Sequence, residues 1–184
     1  MRPRGRFRRS FGAVVTVSVC LLSSFAVALP EEDVAIAFIA HCVLNAGRID
    51  KVEAAARVFD YELLQPDQAI MLAPQDPNAY FKGWLVRKGQ GAPYFLGVAE
   101  GVMNREVLST CSVSIGEYDT DLIETHLRAH VNIGRLISED RSGGQRWRLW
   151  DASAIAKGAL ISITDAKNLG LEGGTFSFSS PRQR

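Results

Sequence analysis

The sequence predicts an α+β fold: an N-terminal helical hairpin packed on an antiparallel sheet of about 5–7 strands, with one helix inserted between the strands. Two observations support this prediction. Apolar residues recur with a period near 3.6 up to residue 64, and with a period near 2 from residue 79 onward. A helical pattern then returns over residues 118–132, inside the second region.

The helical hairpin is predicted from two consecutive amphipathic stretches. The first helix covers residues 31–44, opens with three acidic residues that suit the positive end of a helix, and stops at a glycine-containing cap over residues 45–47. The second helix covers residues 48–64. Its apolar face comprises Ile49, Val52, Ala56, Phe59 and Leu63. A short helical turn is expected between Pro66 and Pro74.

The sheet is predicted from short stretches of alternating apolar and polar residues, divided by glycine-rich turns. These strands cover residues 79–88, 93–101, 107–115, 134–140, 145–151, 158–166 and 173–181. In the third of them Ser112 and Ser114 alternate with apolar residues, and in the last Ser177 and Ser179 do the same. This alternation indicates a sheet with one face in contact with water.

The stretch "QRWRLWD" interleaves arginine with tryptophan over residues 145–151. We interpret it as a strand with Trp147 and Leu149 pointing inward and with Arg146 and Arg148 pointing to solvent. A face that stacks on a ligand is the alternative interpretation.

Residues 1–28 have the three parts of an export signal. Five arginines precede position 10, an apolar run follows, and small residues at Ala26 and Ala28 predict cleavage after Ala28. Residues 29–184 would then form a single exported domain in the periplasm or outside the cell. An uncleaved membrane anchor is the alternative, and the route of export stays open because "RRSF" only partly resembles the twin-arginine motif.

Cleavage would change both the charge and the cysteine content of the chain. The loss of five of the 21 basic residues, with all 20 acidic residues kept, leaves a net charge of −4, which disfavours nucleic acid as a partner. Of the three cysteines, Cys42 and Cys111 would remain. Both fall on faces that point to the core, so the sequence predicts a disulfide between them, with a catalytic Cys111 as the alternative.

His126 and His130 lie four residues apart on the inserted helix, on the side that its apolar residues predict to face the sheet. Two imidazoles at this spacing can share a metal ion such as zinc. The glutamate of the zinc-protease motif is replaced by Leu127, and further ligands would have to come from distant residues. These distant candidates are His41, Glu100, Glu106 and Glu117. Packing in the core, with a hydrogen bond to a backbone carbonyl or a serine, is therefore the favoured role of both histidines, and a small-molecule pocket is a further alternative to the metal site.

Together these features predict a small exported binding or envelope accessory module without catalytic activity and without a cofactor. Its expected partner is an envelope protein or a small-molecule ligand, and it meets the membrane only transiently, through its signal. The alternative is a metal-dependent or cofactor-dependent enzyme centred on His126 and His130.

Overall fold

The structure is a computed structural model that describes residues 30–69, 72–74, 76, 78–87, 93–103 and 106–182. The predicted signal and its cleavage site at Ala28 lie outside the described residues. Within the described residues the fold is α+β, as the sequence predicts, with four α-helices and an antiparallel sheet of eight strands.

The helices and strands follow one another in the order α1, α2, β1, α3, β2, β3, β4, α4, β5, β6, β7, β8. The helices are α1 (Pro30–Phe38), α2 (Ile49–Val58), α3 (Pro66–Ala69) and α4 (Thr120–His130). The strands are β1 (Glu62–Leu63), β2 (Phe81–Val86), β3 (Tyr94–Met103), β4 (Glu106–Ile115), β5 (Leu136–Asp140), β6 (Arg146–Asp151), β7 (Leu160–Asp165) and β8 (Gly174–Pro181). In space the strands lie in the order β1-β2-β3-β4-β8-β7-β6-β5.

Helix α1 continues into one π-helical turn, Ile39–Val43, which the amide of Leu44 closes by donating to the carbonyl of Ile39 at 2.9 Å. Such a turn is wider than an α-helical one. The last three residues of this turn, His41 to Val43, are buried against the sheet. The chain leaves the helix through Ala46 and Gly47, both with positive φ, which confirms the predicted left-handed cap.

The core lies between the helices and one face of the sheet, which we call the inner face. Strictly alternating positions on β4, β8 and β7 point to it. Its centre consists of Val98, Cys111, Val113, Phe176, Phe178, Ile161 and Ile163, together with Phe38, Val52, Ile123 and Leu127 from the helices. The opposite, outer face of the sheet carries the hydroxyl side chains that the sequence places on the water side.

The helical hairpin and the strand count are only roughly as predicted. Helix α2 ends at Val58, because Asp60 adopts a φ of 53° and turns the chain into β1. Strand β1 is not among the seven predicted strands and brings their number to eight. The side chains of Phe59 and Leu63, predicted to face the core, are therefore 48% and 55% exposed. Helix α1 makes its most extensive helix contact with α4 instead of with α2.

Candidate binding surface

The predicted disulfide between Cys42 and Cys111 is present, with Cα atoms 5.2 Å apart and both residues fully buried. It joins the π-helical turn to the centre of β4. A sulfur held in this way is not a nucleophile, so a catalytic Cys111 does not fit the structure. The bond fixes the first helix on the inner face of the sheet.

The π-helical turn also buries His41, and this hydrogen-bonded cluster was not foreseen from the sequence. The Nε2 atom of His41 lies 3.1 Å from the hydroxyl of Tyr94 and 3.3 Å from that of Tyr61. Burial lowers the pKa of His41 and raises that of Tyr94. The ring is therefore neutral near pH 7, and the cluster connects α1 to β3 inside the core.

The predicted metal pair has a different environment from the one expected. The inward side of α4 is formed by Thr120, Ile123 and Leu127, so the buried stripe is rotated away from the histidines. His126 is partly buried, whereas the His130 side chain is 48% exposed and lies 3.9 Å from Glu32. The expectation that both rings face the sheet is therefore wrong for His130.

Among the described residues, no group of three or more histidine, cysteine, aspartate or glutamate side chains lies close enough together to hold a metal ion. His126 and His130 thus gain no third ligand from that part of the chain. The metal site remains a prediction from sequence spacing alone.

The two arginines of β6 face the core side of the sheet, which reverses the predicted orientation of that strand. Arg148 and Trp150 are buried on the inner face, while Trp147 and Leu149 lie on the outer face. The reason is electrostatic, because acidic side chains of β7 and α4 meet the guanidinium groups there. Asp165 is central to this pairing, because its side chain is only 1% exposed and its carboxylate contacts both arginines.

An ion network therefore connects α4 to the sheet. Arg146 donates to Asp165 at 2.8 Å and to Asp121 at 2.6 Å, while Arg148 donates to Asp165 at 3.1 Å and also to Glu124. Burial by itself raises the pKa of Asp165, but the hydrogen bonds from Arg146 outweigh it and lower the pKa. Burial also raises the pKa of Asp121, but hydrogen bonds from Lys167 and Arg146 outweigh it and lower the pKa to about 2. Two arginines and three carboxylates thus hold α4 to β6 and β7, and removing one partner would leave the others without a counter-charge.

An open cleft of about 670 Å³ lies beside the start of α2. Its charged side chains are already paired with one another: Arg48 with Asp50 at 2.8 Å, and Arg182 with Glu100 at 3.2 Å. Tyr80 donates to Glu53, which raises the pKa of Tyr80 to about 12. Because these charges satisfy one another, the cleft offers a ligand little unmatched charge.

The outer face of the sheet is the most unusual surface of the molecule. Three hydroxyl pairs cross from β4 to β8, with oxygen atoms 2.8 to 3.0 Å apart. Two further hydroxyl residues continue the array on β7. We call this set the hydroxyl face; it consists of Thr110, Ser112, Ser114, Thr175, Ser177, Ser179, Ser162 and Thr164.

The sheet register makes the array regular. Ser112 pairs with Ser177, which pairs with Ser162, so these three residues form one row across the strands. Neighbouring strands lie about 4.8 Å apart, and residues two apart along a strand are separated by roughly 6.7 Å. Hydroxyl groups are thus presented at short and repeated intervals in two directions.

The central part of this surface carries no charge. On the outer face between Thr110 and Ser114 of β4, and at the matching positions of β8 and β7, no side chain is ionisable. Carboxylates on this face lie beyond β7, at Asp151 of β6 in the row of Thr110 and at Asp140 of β5 beside Trp147. A protein surface ordinarily has roughly 25–35% charged residues. A sheet face whose only role was contact with water would be expected to include some charged residues.

One side of the hydroxyl face is bounded by the segment between β1 and β2. Two glycines let Leu64 and Leu72 lie close to the sheet: a Cβ atom at Gly83 would lie 2.6 Å from Leu64 Cδ1, and one at Gly97 would lie 3.3 Å from Leu72 Cδ1. Leu72 and the nearby Pro74 form the wall of a recess of about 270 Å³, whose floor includes Thr110, Ser112, Thr175 and Ser177.

The other side of the hydroxyl face is bounded by an aromatic ring. Trp147 pairs with Thr164 in the sheet and is partly exposed. The two other tryptophans, Trp84 and Trp150, are only 3% and 2% exposed. Trp147 is thus the tryptophan that a molecule lying on this face could touch.

Comparisons with protein-family models, with curated proteins and with solved structures gave no significant match to this chain. Separately, no helix in the described part of the chain is both long and apolar enough to cross a membrane. The functional argument therefore depends on the geometry of the surface itself.

Proposed function

We propose that this protein is an exported, non-catalytic binding module of the cell envelope, and that the hydroxyl face is its binding surface. The observation that carries the proposal is the uncharged hydroxyl face, which α1, α2 and α4 leave open because they pack on the inner face. The disulfide fits an oxidising compartment, which supports export.

The structure also gives reasons to favour binding over catalysis. The buried titratable groups of the described residues, His41 and the Asp165 network, are engaged in contacts that hold helices to the sheet. Each residue of the hydroxyl face has only uncharged cross-strand partners, so none of them lies directly beside a general base in the sheet. Serine hydroxyls without such a base are weak nucleophiles but good hydrogen-bond donors and acceptors.

Co-sedimentation with the insoluble envelope fraction of the producing cells tests the proposal. The wild-type protein should pellet with this fraction. Ser177→Lys places a charge in the centre of the hydroxyl face and should reduce the pelleted amount by about tenfold. Thr125→Lys also replaces a hydroxyl side chain by a charged one, but at an exposed position of α4, and this variant should pellet like the wild type.

Two results would contradict the proposal: wild-type protein that stays in the supernatant, or two lysine variants that behave alike. Near-ultraviolet circular dichroism of both variants checks that the fold is kept. N-terminal sequencing of the exported protein tests localisation, because cleavage after Ala28 should leave a chain that begins at Leu29.

A further inference from the structure

We infer that the hydroxyl face binds an uncharged glycan chain. This inference rests on the proposed function, since it names the ligand of the same surface. It follows from the hydrogen-bonding groups of the face, from its missing charge, and from the aromatic ring at its border.

The hydroxyl pairs match the chemistry of a sugar. Each hydroxyl has one donor and two acceptor positions, so a pair that shares one hydrogen bond keeps one donor and three acceptor positions for a ligand. The pairs Thr110 with Ser179 and Ser112 with Ser177 are of this kind. A glycan presents hydroxyl groups that also donate and accept, and it can therefore meet this surface at many points.

The absence of charge selects among glycans. A uronic acid or an amino sugar would lose part of its hydration on the hydroxyl face and would meet no opposite charge on β4, β8 or β7 in return. Among the described residues that line the recess, the ionisable one is Glu100, whose carboxylate is already paired with Arg182. An uncharged sugar loses only hydrogen bonds to water that the hydroxyl face replaces.

Other classes of ligand fit less well. Protein interfaces are depleted in serine, and serine and threonine are under-represented among the residues that dominate binding energy. Nucleic acids require positive charge along the phosphate backbone, and the face offers none in its described centre. Small-molecule pockets are mostly enclosed, whereas this recess is open to solvent.

Trp147 provides the apolar contact that a sugar ring also needs. Trp147 is partly exposed and lies on β6 beside Thr164 of β7, at the edge of the hydroxyl face. The carbon-bound hydrogens of a sugar ring form an apolar side that packs on the face of an aromatic ring. A chain that runs across the strands, from the Leu72 and Pro74 wall toward Trp147, would meet the hydroxyl rows along its length.

Isothermal titration calorimetry with defined tetrasaccharides tests this inference. The neutral probes are the β-1,4-linked tetramers of glucose and of N-acetylglucosamine and the α-1,4-linked tetramer of glucose. The charged probes are tetragalacturonate and the tetramer of glucosamine. At least one neutral tetramer should bind saturably, and the charged tetramers should bind at least tenfold more weakly. Ser177→Lys should weaken the neutral complex at least tenfold, while Thr125→Lys should leave it unchanged.

Thr164→Lys serves as the second variant on the hydroxyl face and decides the result if Ser177→Lys fails to fold. Charged tetramers that bind as tightly as neutral ones would overturn the inference, as would neutral binding that neither variant weakens. If no neutral tetramer binds but sedimentation with the envelope still depends on Ser177, the inference fails and the proposed function stands. If sedimentation is also absent, both fail.

Discussion

Replacing Asp165 by asparagine should destabilise the protein far more than a comparable change at its surface. Asp165→Asn keeps the shape of the side chain and removes the charge that faces Arg146 and Arg148. Breaking a buried ion pair by removing one partner costs about 3–5 kcal/mol. We expect about 3 kcal/mol, because Asp121 and Glu124 continue to pair with the arginines.

For a chain of this size, 1 kcal/mol corresponds to roughly 2–4 °C in melting temperature, so Asp165→Asn should lower it by about 6–12 °C. Asp119→Asn is the matched control. Asp119 is 37% exposed, pairs with Lys167 and caps α4, and asparagine caps a helix equally well. Exposed pairs contribute about 0–1 kcal/mol, so the control should melt within a few degrees of the wild type.

The effect should also depend on pH. The pKa of Asp165 is lowered in the folded state, so its contribution to stability is present above its unfolded pKa of about 3.9 and is lost as the pH falls through the folded pKa. Differential scanning calorimetry at pH 7 and in steps down to pH 2 measures both effects. Equal melting temperatures for the two variants at pH 7 would refute the argument that this network stabilises the fold.

Three further predictions concern the core and the histidines. Removing the disulfide by a double substitution of Cys42 and Cys111 to alanine should cost about 4 kcal/mol, measured by urea denaturation, and an unchanged midpoint would contradict its stabilising role. Burial lowers the pKa of His41, so stability should be unaffected above about pH 6.5, should decline as the pH falls from there toward the folded pKa, and should level off below the folded pKa. His41→Gln should flatten that decline in thermal melts, and an identical pH profile in the variant would assign the decline to other groups. Protein purified without chelator should contain less than about a tenth of an equivalent of zinc, copper or iron, because no described residue completes a metal site with His126 and His130. One equivalent that disappears in a double alanine variant would restore the metal hypothesis.

Much of the fold could be predicted because local patterns decide it. The acidic start and the glycine cap of the first helix, and the alternation of Ser112 and Ser177 with apolar neighbours, each depend on a few adjacent residues. The pairing of Cys42 with Cys111 followed from two inward-facing patterns.

The remaining features depend on contacts between distant residues. Strand β6 has alternating arginine and tryptophan, so its pattern fits either orientation, and only Asp165 and Glu124 decide which side faces the core. The His41 cluster depends on a π-helical turn that leaves no clear mark in the sequence. The hydroxyl face was visible strand by strand, but its continuity required the order β4-β8-β7, which places residues 110–114 beside residues 175–179.

Acrylamide quenching of tryptophan fluorescence tests most directly whether a ligand lies on the hydroxyl face. Quenching of the free protein should come from Trp147, because Trp84 and Trp150 are almost fully buried. A saturating neutral oligosaccharide should reduce the quenching constant severalfold, and the wild type and Thr125→Lys should show the same reduction. A quenching constant that stays the same while calorimetry shows the ligand bound would place the ligand elsewhere on the molecule and contradict the account.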